Sequence, residues 1–255
     1  MLKIAKYVIY DILRSRVIIA YTAFLLLVSL ALFMLEDDSS KSLISLMSVV
    51  MIIVPLISIV FTTTYFYNAY EFIELLVAQP LGRNSILLGE YIGVAFSMLA
   101  AFFVGIGIPI LIYAPTASGF VLLVSGMLLT LVFISLAFFS SVITRDKAKG
   151  IGLSLMLWFY FSVIYDAIVL GILFSFNDYP LDKAVIALAS LNPIDLGRIL
   201  ILLKFDISAL MGFTGAVYKK FFGSSFGLIY SLLIMLVWVA VPMLLAVRIF
   251  KQKNI

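Results

Sequence analysis

The sequence predicts an all-α polytopic membrane protein with six transmembrane helices. Of its 255 residues, 65% are hydrophobic and only 12% are charged, whereas soluble proteins are about half apolar and about a quarter charged. Apolar runs of about 18 residues or more recur along the chain, and each is long enough to cross the hydrocarbon core of a bilayer as a helix. A soluble domain of this length could not bury so much apolar surface.

Six apolar segments are the predicted spans. They cover residues 17–35, 43–67, 86–113, 119–143, 151–176 and 226–248. The first of them resembles a secretory signal only superficially, because it is too long and lacks a cleavage site of small residues. We therefore expect it to be a retained first span.

The basic residues predict the orientation of the spans. With the N-terminus in the cytoplasm, eleven of the 17 basic residues fall on the inner side of the membrane, which is the side that lysine and arginine favour. Of the other six, five lie in one long outer loop, where translocation largely ignores charge. Six spans then leave both termini in the cytoplasm.

Several classes of chemistry are excluded by missing residues. The chain contains no cysteine and no histidine, so disulfides, thiolate nucleophiles, imidazole bases and zinc sites built on these residues are excluded. It has neither a G-x-x-x-x-G-K-[ST] phosphate loop nor a G-x-S-x-G elbow. The ten methionines are scattered, which is more typical of packing than of a metal relay. We therefore expect that the chain is no enzyme and binds no metal or cofactor.

The first sixteen residues do not form a span. They predict a helix at the inner interface, with its cations near anionic headgroups; the alternative is a charged lead-in that only sets the topology. The predicted apolar stripe is Ala5, Val8, Ile9, Ile12 and Leu13, and the polar face carries Lys3, Lys6, Tyr10 and Arg14.

The third span carries small residues at a strict spacing of four. Such a stripe lets a neighbouring backbone approach closely. Packing within the chain and a seam between two copies both remain open explanations. The stripe consists of Gly89, Gly93, Ser97, Ala101 and Gly105.

One carboxylate interrupts the fifth span. Asp166 is the only ionisable acid or base in "LWFYFSVIYDAIVLGILF", residues 157–174. A carboxylate at the bilayer centre costs about 3 kcal/mol on insertion scales, so we expect Asp166 to face protein, beside Ser162 one turn earlier. Aspartyl protease chemistry needs two carboxyl groups that meet, one as acid and one as base, and the spans offer Asp166 no second one. It either lines a path or gate, or forms a hydrogen-bonded clasp between helices.

The outer region, residues 177–225, is the least membrane-like part of the chain. Its apolar runs at 184–191 and 196–203 are too short to span and predict re-entrant or interfacial helices. The motif "LNPIDLGR" predicts a helix start, with Asn192 as N-cap, Pro193 at the first position and Asp195 at the third. Arg198 lies three residues after Asp195 and can pair with it. Capping alone explains this motif without invoking function.

A short amphipathic segment joins the second and third spans on the inner side. In "YNAYEFIELLVAQPLGR", residues 67–83, Glu71 and Glu74 share one helical face and Pro80 ends the helix. A short helix held between two spans is a suitable lever for a soluble partner.

Three stretches together resemble ABC-2 type transporter permeases. They are "YEFIELLVAQPLGRNSILLGEYIG" (70–93), the fifth-span stretch quoted above, and "LNPIDLGRILIL" (191–202). More specifically, their order and spacing resemble the NosY-like permease subunits of the transporter that supports maturation of nitrous oxide reductase. The resemblance covers most of the chain.

The resemblance implies an assembly and assigns residues to it. Two permease copies pair with two cytosolic ATP-hydrolysing subunits, which bind ATP and Mg, and a periplasmic beta-helical protein completes the complex. Residues 70–79 of the coupling segment, which spans 68–82, would enter a groove of the ATPase, and Asp166 matches an aspartate of the family's fifth span. The implied coupling residues are Tyr70, Glu71, Phe72, Glu74, Leu75 and Arg83, and the implied outer partner contacts are Asn192, Pro193, Asp195 and Arg198.

The implied location is the bacterial inner membrane, with lipid and a copper chaperone as further partners and no nucleic acid. Three alternatives stay open at this point. The chain could serve a general ABC-2 exporter of lipid, glycan or drug. It could be a proton-coupled secondary carrier that works through Asp166, or a structural anchor that recruits soluble maturation proteins.

Overall fold

The computed structural model describes residues 1–36, 38–176, 182–202 and 225–252, without the side chains of 182–185 and 225–226. The remainder of the predicted outer region, 177–181 and 203–224, lies outside the described residues.

Six helices in these ranges are long and apolar enough to cross a membrane, and the described residues contain no strand. The predicted all-α fold with six spans is confirmed. We number them span one to span six: Arg16–Leu35, Ser39–Asn68, Arg83–Tyr113, Ala117–Ile143, Lys147–Ser175 and Gly227–Gln252, the last belonging to a helix that begins at Ser225.

Polar caps set where several spans begin. Asp38 accepts a hydrogen bond from the backbone N–H of Ser40, and Asp146 accepts one from that of Lys149. Spans two and five therefore start four residues earlier than the apolar runs suggested, because a capping carboxylate satisfies a free N–H of the first turn.

Four shorter helices accompany the spans in the described ranges. The N-terminal helix is Leu2–Leu13, and the 70–77 helix is Tyr70–Val77. Two outer helices, Asp182–Ser190 and Pro193–Leu202, follow span five. Both are too short to cross a bilayer, as predicted.

The N-terminal helix packs against the small residues of span three. A Cβ atom added at Gly89 would lie 3.0 Å from the Ile4 side chain, and one added at Gly93 would collide with Val8. Ile4, which lies outside the predicted stripe, is therefore buried, while Leu13 of the stripe is 42% exposed. The protein, rather than lipid, covers one edge of the stripe.

Further along span three, the same stripe meets span one. A Cβ atom at Gly105 would lie 2.6 Å from the Leu25 Cβ atom, and the Ser29 hydroxyl donates to the Gly105 carbonyl at 2.7 Å. Gly105 belongs to a π-helical segment, Phe103–Gly107. The glycines of this stripe therefore serve packing within the chain.

Span four is the centre of the bundle. In its most apolar eighteen-residue stretch, 67% of the residues are buried, against 11% in span five and 22% in span six. The large side chains Phe133 and Phe138 of span four are fully buried. Spans five and six thus expose most of their surface to whatever surrounds the chain.

Candidate functional site

The 70–77 helix follows span two almost without interruption. Ala69, with φ −85° and ψ 4°, bends the chain between them. Ile73 and Leu76 are buried against the bundle, whereas Glu71, Glu74 and Leu75 are exposed, Leu75 by 67%. The helix therefore presents an acidic face with one apolar side chain away from the membrane helices.

Aromatic stacking fixes this helix to the N-terminal helix. The rings of Phe72 and Tyr7 lie 5.0 Å apart with an interplanar angle of 29°. Tyr70 is partly buried. Sequence reasoning missed Tyr7, whose position between the apolar stripe and the cations was the available signal.

Arg83 lies beyond the 70–77 helix and is the first residue of span three. Its Nη1 atom donates to the backbone carbonyl of Lys251 at 3.3 Å, near the end of span six. Arg83 therefore ties the start of span three to the end of span six.

At the opposite end, four polar side chains that the sequence singled out come together. We call Asp166, Asn192, Asp195 and Arg198 the outer clasp. The Arg198 Nη1 atom lies 2.9 Å from Asp166 Oδ2 and 3.1 Å from Asp195 Oδ1, so one guanidinium bridges two carboxylates. The predicted Asp195–Arg198 pair is confirmed.

Asn192 holds the clasp to span five. It is fully buried; its Oδ1 atom accepts from the Ile194 N–H at 3.0 Å, which confirms the predicted N-cap. Its Nδ2 atom donates to Asp195 Oδ2 at 3.1 Å and to the Phe161 carbonyl at 2.9 Å. The cap residue is thus also a link between two helices.

A π-helical segment of span five, Tyr160–Ile164, makes this link possible. The Tyr165 N–H donates to the Tyr160 carbonyl, five residues back, rather than to the Phe161 carbonyl. The Phe161 carbonyl therefore loses its usual α-helical donor and accepts from Asn192. The Tyr165 hydroxyl adds a bond to the Leu188 carbonyl at 2.6 Å.

The surroundings of Asp166 differ from the sequence expectation in two ways. Ser162 donates to the Trp158 carbonyl of its own helix rather than to Asp166. Asp166 also has an acidic neighbour, because Asp195 reaches it from an outer helix instead of from a span. Sequence reasoning looked for a partner of Asp166 on the spans alone, so it missed that Asp195 and Arg198 contact Asp166.

Burial raises the pKa of Asp195 to about 7; the Arg198 guanidinium opposes this rise and the Asp166 carboxylate adds to it. A substantial fraction of Asp195 therefore keeps its proton near neutral pH. The protonated form can donate a hydrogen bond, which lets two carboxyl groups share one arginine with little repulsion.

Helix 193–202 carries the clasp directly over the core. Pro193 is buried at its first position, and a Cβ atom at Gly197 would lie 3.3 Å from Leu129 of span four and 3.4 Å from Met51 of span two. Helix 193–202 therefore packs against both span two and span four.

The matched sequence family agrees with this geometry. Residues 2–255 match the model of a family described as "ABC-2 family transporter protein". The chain belongs to this family. ABC-2 permeases work with a separate ATPase subunit, so a partner ATPase is implied.

Two curated relatives carry the same printed name. The chain is 33% identical over 148 residues to the "Probable ABC transporter permease protein NosY" of Pseudomonas aeruginosa, covering 54% of each chain. It is 28% identical over 191 residues to the protein of that name from Stutzerimonas stutzeri, covering 70% of this chain and 67% of the relative. The first match thus spans about half the length of that relative. This permease is a multi-pass membrane subunit of an ABC transporter.

Proposed function

We propose that this permease is the NosY-like subunit of an ATP-driven transporter required for maturation of nitrous oxide reductase. In this proposal it lies in a bacterial inner membrane with both termini in the cytoplasm, paired with a second copy. Cytosolic ATPase subunits bind ATP and Mg, and this chain carries no cofactor. The outer clasp region faces a periplasmic beta-helical partner, with a copper chaperone as a further candidate partner.

The exposed face of the 70–77 helix is the observation that carries the proposal. Glu71, Glu74 and Leu75 point away from the bundle, while Ile73 and Leu76 anchor the helix. A helix held rigidly in this way can pass the movement of a docked subunit on to the spans, as a rigid-body change between two arrangements.

A continuous path leads from this face to the outer clasp. The 70–77 helix joins span two at Ala69, and at the other end of the path Met51 of span two lies 3.4 Å from where a Cβ atom on Gly197 would be. Gly197 is the neighbour of Arg198, which holds Asp166 of span five. We propose that ATPase movement reaches the periplasmic partner, or a sulfur- or metal-related substrate, along this path.

Reconstitution with the partner ATPase tests the coupling step. We expect the Glu71→Lys/Glu74→Lys variant to lose most of the stimulation of ATP hydrolysis, because the docking charge is reversed. Glu36→Lys, at the opposite end of span one, is the control and should keep it. Full stimulation by the double variant would overturn the coupling role.

Complementation of a strain that lacks the permease tests the specific process. We expect the wild-type chain to restore copper loading and activity of nitrous oxide reductase, and a periplasmic beta-helical protein to co-purify with it. Unchanged reductase and co-purification with glycan-synthesis proteins would favour a general ABC-2 exporter. Transport in vesicles without ATP that is lost in Asp166→Asn would favour a proton-coupled carrier.

A further inference from the structure

The N-terminal helix has a second face that the described part of the chain leaves uncovered. With 3.6 residues per turn, the buried residues Ile4, Val8 and Ile12 occupy one side of the helix against span three. The opposite side carries the exposed cations Lys3, Lys6 and Arg14. Exposed apolar and aromatic side chains lie beside the cations: Tyr7 is 56%, Tyr10 58% and Leu13 42% exposed.

These cations and aromatic side chains surround one open cavity of about 690 Å³. Its lining includes Lys3, Lys6 and Arg14 together with Tyr7, Tyr10 and Leu13. The Arg14 guanidinium lies 3.9 Å from the centre of the Tyr10 ring, so a cation–π contact orders it at the rim. The cavity thus combines an apolar floor with three positive charges.

The position along the chain puts this cavity at the edge of the hydrocarbon. Arg14 lies two residues before Arg16, where span one begins, and the apolar run of that span starts at Val17. Arg14 is therefore expected at headgroup level, where the negative surface potential of the inner leaflet attracts cations.

We propose that this cationic groove binds the headgroup of an acidic phospholipid from the leaflet on its side of the membrane. The lipid phosphate lies beside Lys3 and Lys6, and the upper acyl chain covers Leu13 and the tyrosine rings. Arg14, about 16 Å from Lys3 along the helix, adds a third positive charge to the groove. Charge complementarity selects the acidic headgroup over a zwitterionic one, since each cation near an anionic surface contributes separately to binding.

The groove is directly connected to the 70–77 helix. Tyr7 lines the cavity and stacks on Phe72. A bound headgroup therefore orders the ring that positions the 70–77 helix. This consequence rests on the proposed coupling function, whereas binding itself does not.

Lipid selectivity is measured on the full chain in nanodiscs. Because the chain has no cysteine, Leu2→Cys gives a single site for a fluorophore beside the groove without filling it. The nanodiscs contain phosphatidylcholine with a minor fraction of headgroup-proximal nitroxide lipid, either phosphatidylglycerol or phosphatidylcholine. We expect stronger quenching by nitroxide phosphatidylglycerol, and a loss of preference of about fivefold for each cation removed.

Matched variants separate a site from general attraction. Lys3→Gln/Lys6→Gln/Arg14→Gln should abolish the preference, while Arg145→Gln/Lys149→Gln/Lys251→Gln removes as many cations elsewhere at the same end and should keep it. Equal quenching by both lipids, or equal loss in both variants, would overturn the site. Displacement by soluble glycerol phosphate would show an anion site rather than a lipid site and would also overturn the proposal.

ATPase stimulation gives a readout of the consequence. With the partner ATPase, the wild type should be stimulated more in phosphatidylglycerol than in phosphatidylcholine. Phe72→Ala, which removes the stacking partner of Tyr7 but does not line the cavity, should remove this difference while keeping lipid selectivity. If the selectivity holds but stimulation is absent in every lipid, the coupling function fails and the lipid site stands.

Discussion

Span three and the outer half of span five contain the same irregularity in different surroundings. Each has a π-helical segment with a backbone carbonyl that accepts from a neighbouring side chain, Ser29 at Gly105 and Asn192 at Phe161. In span three, 56% of the most apolar stretch is buried, against 11% in span five. Close backbone packing holds the first, and separate polar contacts hold the second.

This difference indicates which helix can change position. Close packing is lost in full when helices part, because dispersion contacts fall off steeply with distance. Polar contacts contribute about 1 kcal/mol each and can be exchanged for others. We therefore expect the outer half of span five to move while spans three and four stay together.

The largest loss of stability is expected from placing a larger side chain where span three packs closely against its neighbours. Gly93→Val would push into Val8 and should destabilise the fold by about 3 kcal/mol, or detach the N-terminal helix. Gly152→Val in span five is the matched control, because nothing lies within 4 Å of a Cβ atom there. Thermal unfolding in detergent compares them; equal losses would contradict the contrast between the two spans.

The next largest loss of stability is expected from replacing the arginine of the outer clasp. Arg198→Met leaves Asp166 and Asp195 facing each other without a cation and should lower the free energy of unfolding by about 2 kcal/mol. This loss is smaller than for a fully buried ion pair, because Arg198 and Asp166 are each about one-third exposed. Adding Asp166→Asn should recover most of the loss. Unfolding curves of the three proteins check this, and no recovery would argue against carboxylate repulsion as the cause.

Removal of the cap that joins two helices should have a smaller effect. Asn192→Ala loses the bonds to Ile194 and Phe161 and should cost about 1.5 kcal/mol. Ser29→Ala, which frees the Gly105 carbonyl alone, should cost about half as much. The rate of amide hydrogen exchange in span five should rise in Asn192→Ala and stay unchanged in Ser29→Ala. A rise in both variants would contradict the expected difference between the two carbonyl contacts.

The smallest expected effect is the change of stability between pH 6 and pH 7. Asp195 has a pKa raised from 3.8 to about 7, so the folded state binds its proton more tightly than the unfolded state. Its stabilising contribution is present below about pH 4 and is lost as the pH rises to about 7, by about 1 kcal/mol between pH 6 and pH 7. Asp195→Asn should remove this slope; an unchanged slope would assign it to another group.

Local patterns predicted much of this structure. The six spans follow from apolar length, and the Asn192 cap and the Asp195–Arg198 pair follow from spacing within one helix. The Asp166–Arg198 contact was not predicted, because it joins residues 32 positions apart on two helices. The charges themselves were a signal, since Asp166 is the only ionisable acid or base in its apolar stretch.

Other features leave no trace in the periodicity of the sequence. The π-helical segments Phe103–Gly107 and Tyr160–Ile164 depend on which donors a neighbouring helix offers to a freed carbonyl. Glu90 is another example: it is 1% exposed, and its Oε1 atom has no hydrogen-bond partner among the described residues. Its position near the inner end of span three was visible in the sequence, but its burial was not.

Distances between spin labels test the movement of span five most directly. In this cysteine-free chain, the pair Phe120→Cys and Phe174→Cys reports on spans four and five, and the pair Ile112→Cys and Phe120→Cys reports on spans three and four; all three positions are exposed. Double electron–electron resonance would measure both distances in nucleotide-free and in ATP-bound complexes with the partner ATPase. We predict a changed distance for the first pair and an unchanged one for the second. A fixed first pair, or equal changes in both, would contradict the account.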